Sequence, residues 1–312
     1  MLALLNRQAQ ERGVVSCALT FEPHPRDYFA AALHKPALAP ARIGTLRDKL
    51  SELAQCGVQQ AIVLPFNATL AAQPAQAFID EVLVRSLGAR YVLVGDDFRF
   101  GAQRAGDCAL LKASASAQGF EVGRMESYVV DGLRISSTAV RQALASGDMA
   151  AAAQLLGRPY AISGHVVHGR KLGRALGASR QGADDGFRTL NLRFTHWKPA
   201  ASGIFAVHVH GLSEQPLPGV ANLGVRPSID PSDVNGGRVL LETHCLEWPA
   251  HLGAEGAYGK IIRVELLHKL HDELKYDSLD ALTTGIARDG VEARAWFAAH
   301  AQTRRQTTRD RI

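Results

Sequence analysis

The hydrophobic period of this chain changes near residue 157, and that change constrains the fold more than any other feature. Before it, short runs of nearly continuous apolar character alternate with helical patterns. The runs are VVSCALTF at 14–21, AIVLPF at 61–66 and YVLV at 91–94. Parallel strands covered on both faces read this way. Between them, Thr45 and Asp48 form a capping box and Gly57 stops that helix, while Pro74 opens the next and Gly88 closes it. The series is βαβα, which predicts an open parallel sheet with helices on both faces.

After Gly157-Arg158-Pro159 the texture differs. Segments near 160–168, 190–195, 203–210, 219–225, 238–247 and 261–267 read as strands, separated by Gly, Pro and Asp/Asn clusters with no helical period. Six short strands of this kind predict a small antiparallel barrel, which removes exposed edges. Residues 278–300 then read as a closing helix, with Leu279, Leu282 and Ile286 on one face and Trp296 and Phe297 near its end. The expected division is 1–156 and 157–312, the first part ending in the Ala-rich helix 148–156. A length of 312 residues suits two domains.

Composition excludes several classes. At 46% apolar the chain can build packed cores and is not a disordered polymer. No apolar run approaches the roughly 20 residues of a membrane helix, so no membrane role is expected. MLALL at the start lacks the basic leader and cleavage site of a signal peptide. Thirty-five Lys and Arg against 30 Asp and Glu give +5, a mild excess that suits an anionic substrate such as a nucleotide and equally an ordinary basic protein. Basic residues are dispersed, so no nucleic-acid partner is expected, and no obligatory protein partner is evident. Arg304, Arg305, Arg309 and Arg311 read as a solvated tail. The four cysteines form no CxxC, which fits a reducing cytoplasm rather than a metal or disulfide framework.

Open parallel sheets bind ligands at the carboxyl ends of their strands. Phe21 to Arg26 (FEPHPR) forms a proline-stiffened loop there that holds His24 and Arg26. Gly95 to Gly101 (GDDFRFG) carries carboxylates at Asp96 and Asp97 and rings at Phe98 and Phe100, suited to a ribose and a planar ligand. RISSTAVR at 134–141 places Ser136 or Ser137 as a helix cap, Thr138 in the first turn and Arg141 one turn on. A helix N-terminus with hydroxyls and an Arg suits polyphosphate. Each of these has a plain alternative: a turn, an apolar plug, an ordinary cap.

In the second half, a strand at 160–168 leads into a Gly-rich basic loop with Gly169, Lys171, Gly173 and Arg174, a plausible phosphate cradle. Thr189 and Asn191 lie two apart on a strand and point the same way, so both can serve a hard cation or a phosphate. Glu242 is one acid inside an apolar strand, placed to act as a base toward a hydroxyl or to sit in a structural ion pair. PGVANLGVRP at 218–227 reads mainly as a structural turn and strand.

Together the motifs resemble the bacterial bifunctional riboflavin kinase/FMN adenylyltransferases, or FAD synthetases. The matching stretches are TFEPHPRDYF (20–29), VGDDFRFG (94–101) with Arg104 and Asp107, ISSTAVRQAL (135–144), LLGRPY (155–160), VVHG (166–169), Gly173 to Gly177, PGVANLGVRP (218–227), LETH (241–244) and KYDSLDAL (275–282). They occur in family order over nearly the whole chain. The resemblance implies a Rossmann-like nucleotidyltransferase domain at 1–156, with its first strand missing, followed by a riboflavin kinase β-barrel at 157–312. It implies phosphorylation of riboflavin to FMN, adenylylation of FMN to FAD, ATP as co-substrate and Mg2+ as cofactor. By motif match, Thr189 and Asn191 would hold Mg-ATP, with Thr189 on the metal, and Glu242 would be the kinase base. Gly169, Gly173 and Arg174 would flank nucleotide phosphates. Asp97, Ser137, Thr138 and Arg141 would bind the adenylyltransferase's ATP, and Phe21, His24, Phe98 and Phe100 the flavin.

Three departures stand out. The chain begins after the point where the family carries a strand and a GxFDGxHxGH turn, and no HxGH occurs in it; the kinase is therefore the better supported activity. The family's PTxN becomes Arg188-Thr189-Leu190-Asn191, losing the fixed φ of Pro. Residues 178–187 lengthen the preceding flap and read as a surface insert. The alternatives are a catalytically degenerate flavin- or nucleotide-binding remnant, or a nucleotidyltransferase acting on pantetheine phosphate.

Overall fold

The computed structural model describes residues 1–125, 129–130, 133–168, 189–193, 198–226, 238–253 and 255–309. It divides into two compact units, Met1–Pro40 with Asp48–Ile135, and Ala41–Arg47 with Ser136–Ile312.

In the first unit, β1 (Cys17–Glu22) pairs in parallel with β2 (Gln60–Pro65), and β3 (Tyr91–Gly95) pairs in parallel with β4 (Glu121–Met125). The short strands β5 (Val129–Val130) and β6 (Leu133–Arg134) pair antiparallel. Helices α1 (Leu2–Glu11), α2 (Pro25–Ala32), α3 (Leu46–Gln55), α4 (Ala68–Ala72), α5 (Ala75–Ala77) and α6 (Cys108–Gln118) connect them. The helix expected between Pro74 and Gly88 keeps those limits, but Phe78–Ser86 within it is a π-helix. Asp107 caps α6 by accepting from the Leu110 amide at 3.0 Å, which holds its carboxyl below the usual range. Ile79 and Leu111, fully buried, centre a core with Phe78, Leu83, Val94, Phe100 and Phe120.

In the second unit, α7 (Ser137–Ser146) and α8 (Met149–Leu156) precede six strands, β7 (Tyr160–Val167), β8 (Thr189–Arg193), β9 (Gly203–His210), β10 (Leu217–Arg226), β11 (Arg238–Cys245) and β12 (Ile261–His271). They close into an antiparallel barrel in the order β10-β11-β8-β7-β12-β9. The expected strand limits are met within a few residues, because the turn clusters that bound them cannot extend a ladder. Period-two alternation sends Leu190, Leu192, Phe205, Val207, Val209, Ala221, Leu223, Leu241, Val264 and Leu266 inward, each at most 2% exposed. Cys245 lies on that inner face too, and burial pushes its thiol up to about 12.

The last helix, α9 (Leu279–Arg309), packs on the outside of β9, β10 and β12. Phe297 stacks on His208 at 5.2 Å, and Trp296 stacks on His268 at 5.6 Å. Contacts cross the sequence boundary at 156/157: α8 packs on β7 and β12, and the Arg42 amide donates to the Lys198 carbonyl at 3.4 Å. Residues 41–47 and 136–156 therefore belong to the compact unit of the barrel.

Candidate active site

Alternation on the barrel leaves Leu240, Glu242 and His244 of β11 on the outer face, since Val239, Leu241, Thr243 and Cys245 point in. Ladder register then builds a polar row across three neighbouring strands. Glu242 sits opposite Asn191 of β8 on one side and opposite Asn222 of β10 on the other. Directly opposed residues share a face and have Cα atoms about 4.5–5.5 Å apart. One step along the same face, Thr189 lies opposite His244.

Asn191 is 3% exposed. Its Nδ2 donates to the Thr189 carbonyl at 3.2 Å, and its buried Oδ1 has no hydrogen-bond partner. The buried Oδ1 of Asn222 has none either. Leaving a buried acceptor unpaired costs about 1–3 kcal/mol, so two such oxygens beside a carboxylate mark a surface built to receive donors or a cation. Carboxamide and hydroxyl oxygens are ligands for hard cations, and the carboxylate between them can take a proton from an alcohol. At the end of β7, His168 stacks on Tyr258 at 3.8 Å. Gly169, Gly173, Arg174 and the insert 178–187 lie outside the described residues.

The sequence-nominated residues of the first half fall into two groups. Phe21, Phe98 and Phe100 meet in one apolar cluster near the carboxyl ends of β1 and β3. Phe98 stacks on Phe100 at 5.4 Å, and Phe100 is 8% exposed against Phe78, which makes it a core side chain backing Phe98. Three rings join from outside the nominated set: Phe66 meets Phe21, Tyr28 and Phe29 edge-on at 5.7, 5.4 and 5.8 Å. Phe66 follows β2 directly, so its position at a strand end was the available signal. His24 caps α2, its Nδ1 accepting from the Arg26 amide at 3.2 Å. Asp97 is exposed in the turn after β3.

Ser137, Thr138 and Arg141 belong to the other compact unit. Ser136 is the cap of α7, accepting from the Ala139 amide at 3.1 Å, which leaves Ser137 and Thr138 exposed in the first turn. Arg141 donates through Nε to the Ala41 carbonyl at 2.7 Å and through Nη1 to the Ser137 carbonyl at 3.2 Å.

A family model for FAD synthetase matches residues 1–139, and one for riboflavin kinase matches residues 156–297. The bifunctional riboflavin kinase/FMN adenylyltransferase of Escherichia coli (strain K12) is 42% identical over 297 residues, 95% of this chain and 87% of the relative. The chain belongs to the bifunctional riboflavin kinase/FMN adenylyltransferase family. Members from Haemophilus influenzae (39% over 297 residues, 95% of this chain and 89% of the relative) and Pseudomonas fluorescens (38% over 301 residues, 96% and 89%) are also similar. A solved structure described as a macrolide-efflux protein from Streptococcus pneumoniae aligns with a TM-score of 0.67 at 25% identity, covering 95% of this chain and 88% of that one. Among the described residues, no helix is long and apolar enough to cross a membrane. Like other members of the riboflavin kinase/FMN adenylyltransferase family, this chain is an ATP-using enzyme of flavin cofactor biosynthesis, and the remnant alternative is not favoured.

One further cluster of potential metal ligands occurs among the described residues, His271, Asp289 and Glu292. The Arg288 guanidinium already lies among them, 3.2 Å from Asp289 Oδ1 and 3.3 Å from His271 Nε2, and supplies the positive charge a cation would bring.

Proposed function

We propose that the barrel transfers the γ-phosphate of Mg-ATP to the 5′-hydroxyl of riboflavin, giving FMN and ADP. The single observation that carries this reading is the row Asn191–Glu242–Asn222, with a buried, unpartnered carboxamide oxygen on each side of the carboxylate. Asn191 Oδ1 and the Thr189 hydroxyl suit a magnesium ion, which when bound neutralises charge on the transferring phosphates. Glu242 accepts the hydroxyl proton as the new O–P bond forms and the bond from the γ-phosphorus to the bridging oxygen of ADP breaks. The rest of the acceleration is positioning, as is usual for phosphoryl transfer. Gly169, Gly173 and Arg174 are assigned to the phosphates by motif alone.

The division 1–156 and 157–312 is proposed as the functional one, with the first part joining FMN to AMP from a second ATP and releasing pyrophosphate. Asp97 and, separately, Ser137, Thr138 and Arg141 are assigned to its nucleotide by motif alone. Phe21 and Phe98 are its flavin-facing rings, with Phe100 behind them and His24 shaping the loop. FAD formation from FMN and ATP tests this half separately, and an active kinase sample that makes no FAD withdraws it. ATP as substrate and the four free cysteines suit the cytoplasm.

For the kinase, Glu242→Gln is expected to lower kcat by about 100-fold or more, the scale of a lost general base. FMN formation followed by chromatography measures it. A variant that folds and keeps full turnover removes Glu242 from the chemistry.

A further inference from the structure

Among the described residues, three non-glycine residues have backbone with positive φ, and two of them are adjacent: Gln103 at 55° and Arg104 at 58°. They form the tip of the loop between β3 and α6. Left-handed backbone is unfavourable for a residue with a Cβ, and Asn and Asp tolerate it better than Gln or Arg. Both side chains are exposed, so their burial does not offset the strain. The base of the loop holds the tip in place. Phe100 and Gly106 exchange backbone hydrogen bonds at 3.1 and 2.9 Å, and the Ala102 amide donates to the Gln73 carbonyl at 2.8 Å. A Cβ on Gly101 would lie 2.5 Å from the Cα of Ala75, so the loop sits directly on that backbone. Arg99 ion-pairs with Asp107, the cap of α6, at 3.2 Å. One arginine of the loop thus fastens its base, and the other is presented at its strained tip. Strained backbone persists where its surroundings over-determine it, and it clusters at ligand clamps.

The aromatic rings lie at the base of the same loop. Phe98 stacks on Phe100 at 5.4 Å, and Phe100 is half of the backbone pair that closes the loop. With Phe98 facing a flavin, the phosphate of FMN falls away from the ring, at the far end of the ribityl chain. A guanidinium on a short rigid loop beside the ring site suits that group, because it stays charged at any working pH and meets phosphate oxygens through two parallel N–H donors. The triphosphate of ATP is assigned elsewhere, to the turn at Ser137, Thr138 and Arg141.

We infer that Arg104 contacts the FMN phosphate and makes the adenylyltransferase prefer FMN to flavins without that group. The clamped loop fixes the distance from the rings to the guanidinium. The inference rests on the adenylyltransferase reading of the first half, and the two fail differently. Wild-type protein that makes no FAD defeats that reading. Wild-type protein that makes FAD, with Arg104 variants that behave normally, defeats only this inference.

The test compares Arg104→Gln, which removes the charge, with Arg104→Lys, which keeps the charge without the fork. Both are made in the full chain, supplied with FMN and ATP, and FAD is followed by chromatography. The Gln variant should raise the FMN KM about 10-fold or more, the scale of one lost charge-assisted contact, with the ATP KM within about twofold of wild type. The Lys variant should fall between the two. Lumiflavin, which has the ring system and no phosphate, should inhibit FAD formation equally in wild type and the Gln variant. An unchanged FMN KM overturns the inference. So does a rise confined to the ATP KM, which moves the contact to the nucleotide. Lumiflavin inhibition weakened as much as the FMN KM is raised also overturns it, because the loop then shapes the ring site rather than holding the phosphate.

Discussion

Glu242 and Thr243 are neighbours in sequence and face opposite environments. Glu242 points to the outer surface of the barrel. Thr243 points inward, fully buried between Leu190 and Ala221, with its Oγ1 unpartnered. An unpaired buried hydroxyl is unfavourable, and valine has nearly the same shape without it. Thr243→Val is therefore expected to stabilise the protein by about 1 kcal/mol. Urea unfolding measures this, and a loss of stability would show that the hydroxyl finds a partner. The same alternation explains which site residues could be read early. Glu242, Thr189 and Asn191 were visible as polar groups inside apolar strands. Asn222 sits in a stretch whose sequence reads mainly as a structural turn and strand, because its place beside Glu242 depends on which residue of β11 lies opposite, and no local pattern specifies register between strands far apart in sequence.

Among the elements, α9 shows how one helix face mixes packing with charge. Ala293 is fully buried, and Asp289, 5% exposed, lies on the same stripe. Asp289 Oδ1 meets His271 Nε2 of β12 at 2.9 Å. Burial, and to a lesser extent the neighbouring Arg288 charge, lower the affinity of the His271 ring for a proton. The hydrogen bond and charge of Asp289, with the Asp272 carbonyl at 2.6 Å, outweigh them and leave the pKa raised above 6.5. A raised folded-state pKa contributes stability that is fully present below the unfolded value and fades as pH rises through the folded one. His271→Gln should therefore destabilise the protein more at pH 5.5 than at pH 8.5. His268, whose pKa is lowered by burial and then by His300, has the opposite sign, but it is present in both proteins and cancels in the comparison. Thermal unfolding at the two pH values checks this, and an equal loss at both refutes it. The helix itself was legible from Leu282, Ile286 and its two aromatics, whereas the buried Asp289 was not, because its partner lies on a different strand. The π-helical hydrogen bonding of Phe78–Ser86 was likewise not legible, since its apolar spacing reads as an ordinary helix.

For the whole chain, the motif boundary and the packing boundary differ. Met149, Ala152 and Leu155 of α8 are buried at 4%, 0% and 8%, and the helix lies on β7 and β12. Fully burying a Met or Leu side chain is worth about 1.5–3 kcal/mol. A fragment of 136–312 is therefore expected to be more stable than one of 157–312 by about 3 kcal/mol or more. Comparative urea unfolding of the two decides it, and equal midpoints would mean that α8 contributes no stability to the barrel.

Local information in the chain was enough for the two fold classes, the six barrel strands and the closing helix, because hydrophobic period, caps and turn residues act over a few positions; the family followed from the resemblance of its ordered motifs. Long-range pairing supplied the rest. Closure of the barrel decided which side of β11 is inside, cross-strand register placed Asn222 beside Glu242, and packing of α8 and residues 41–47 assigned them to the barrel unit. Those outcomes depend on contacts between segments tens to hundreds of residues apart, whose partners no short window of sequence contains.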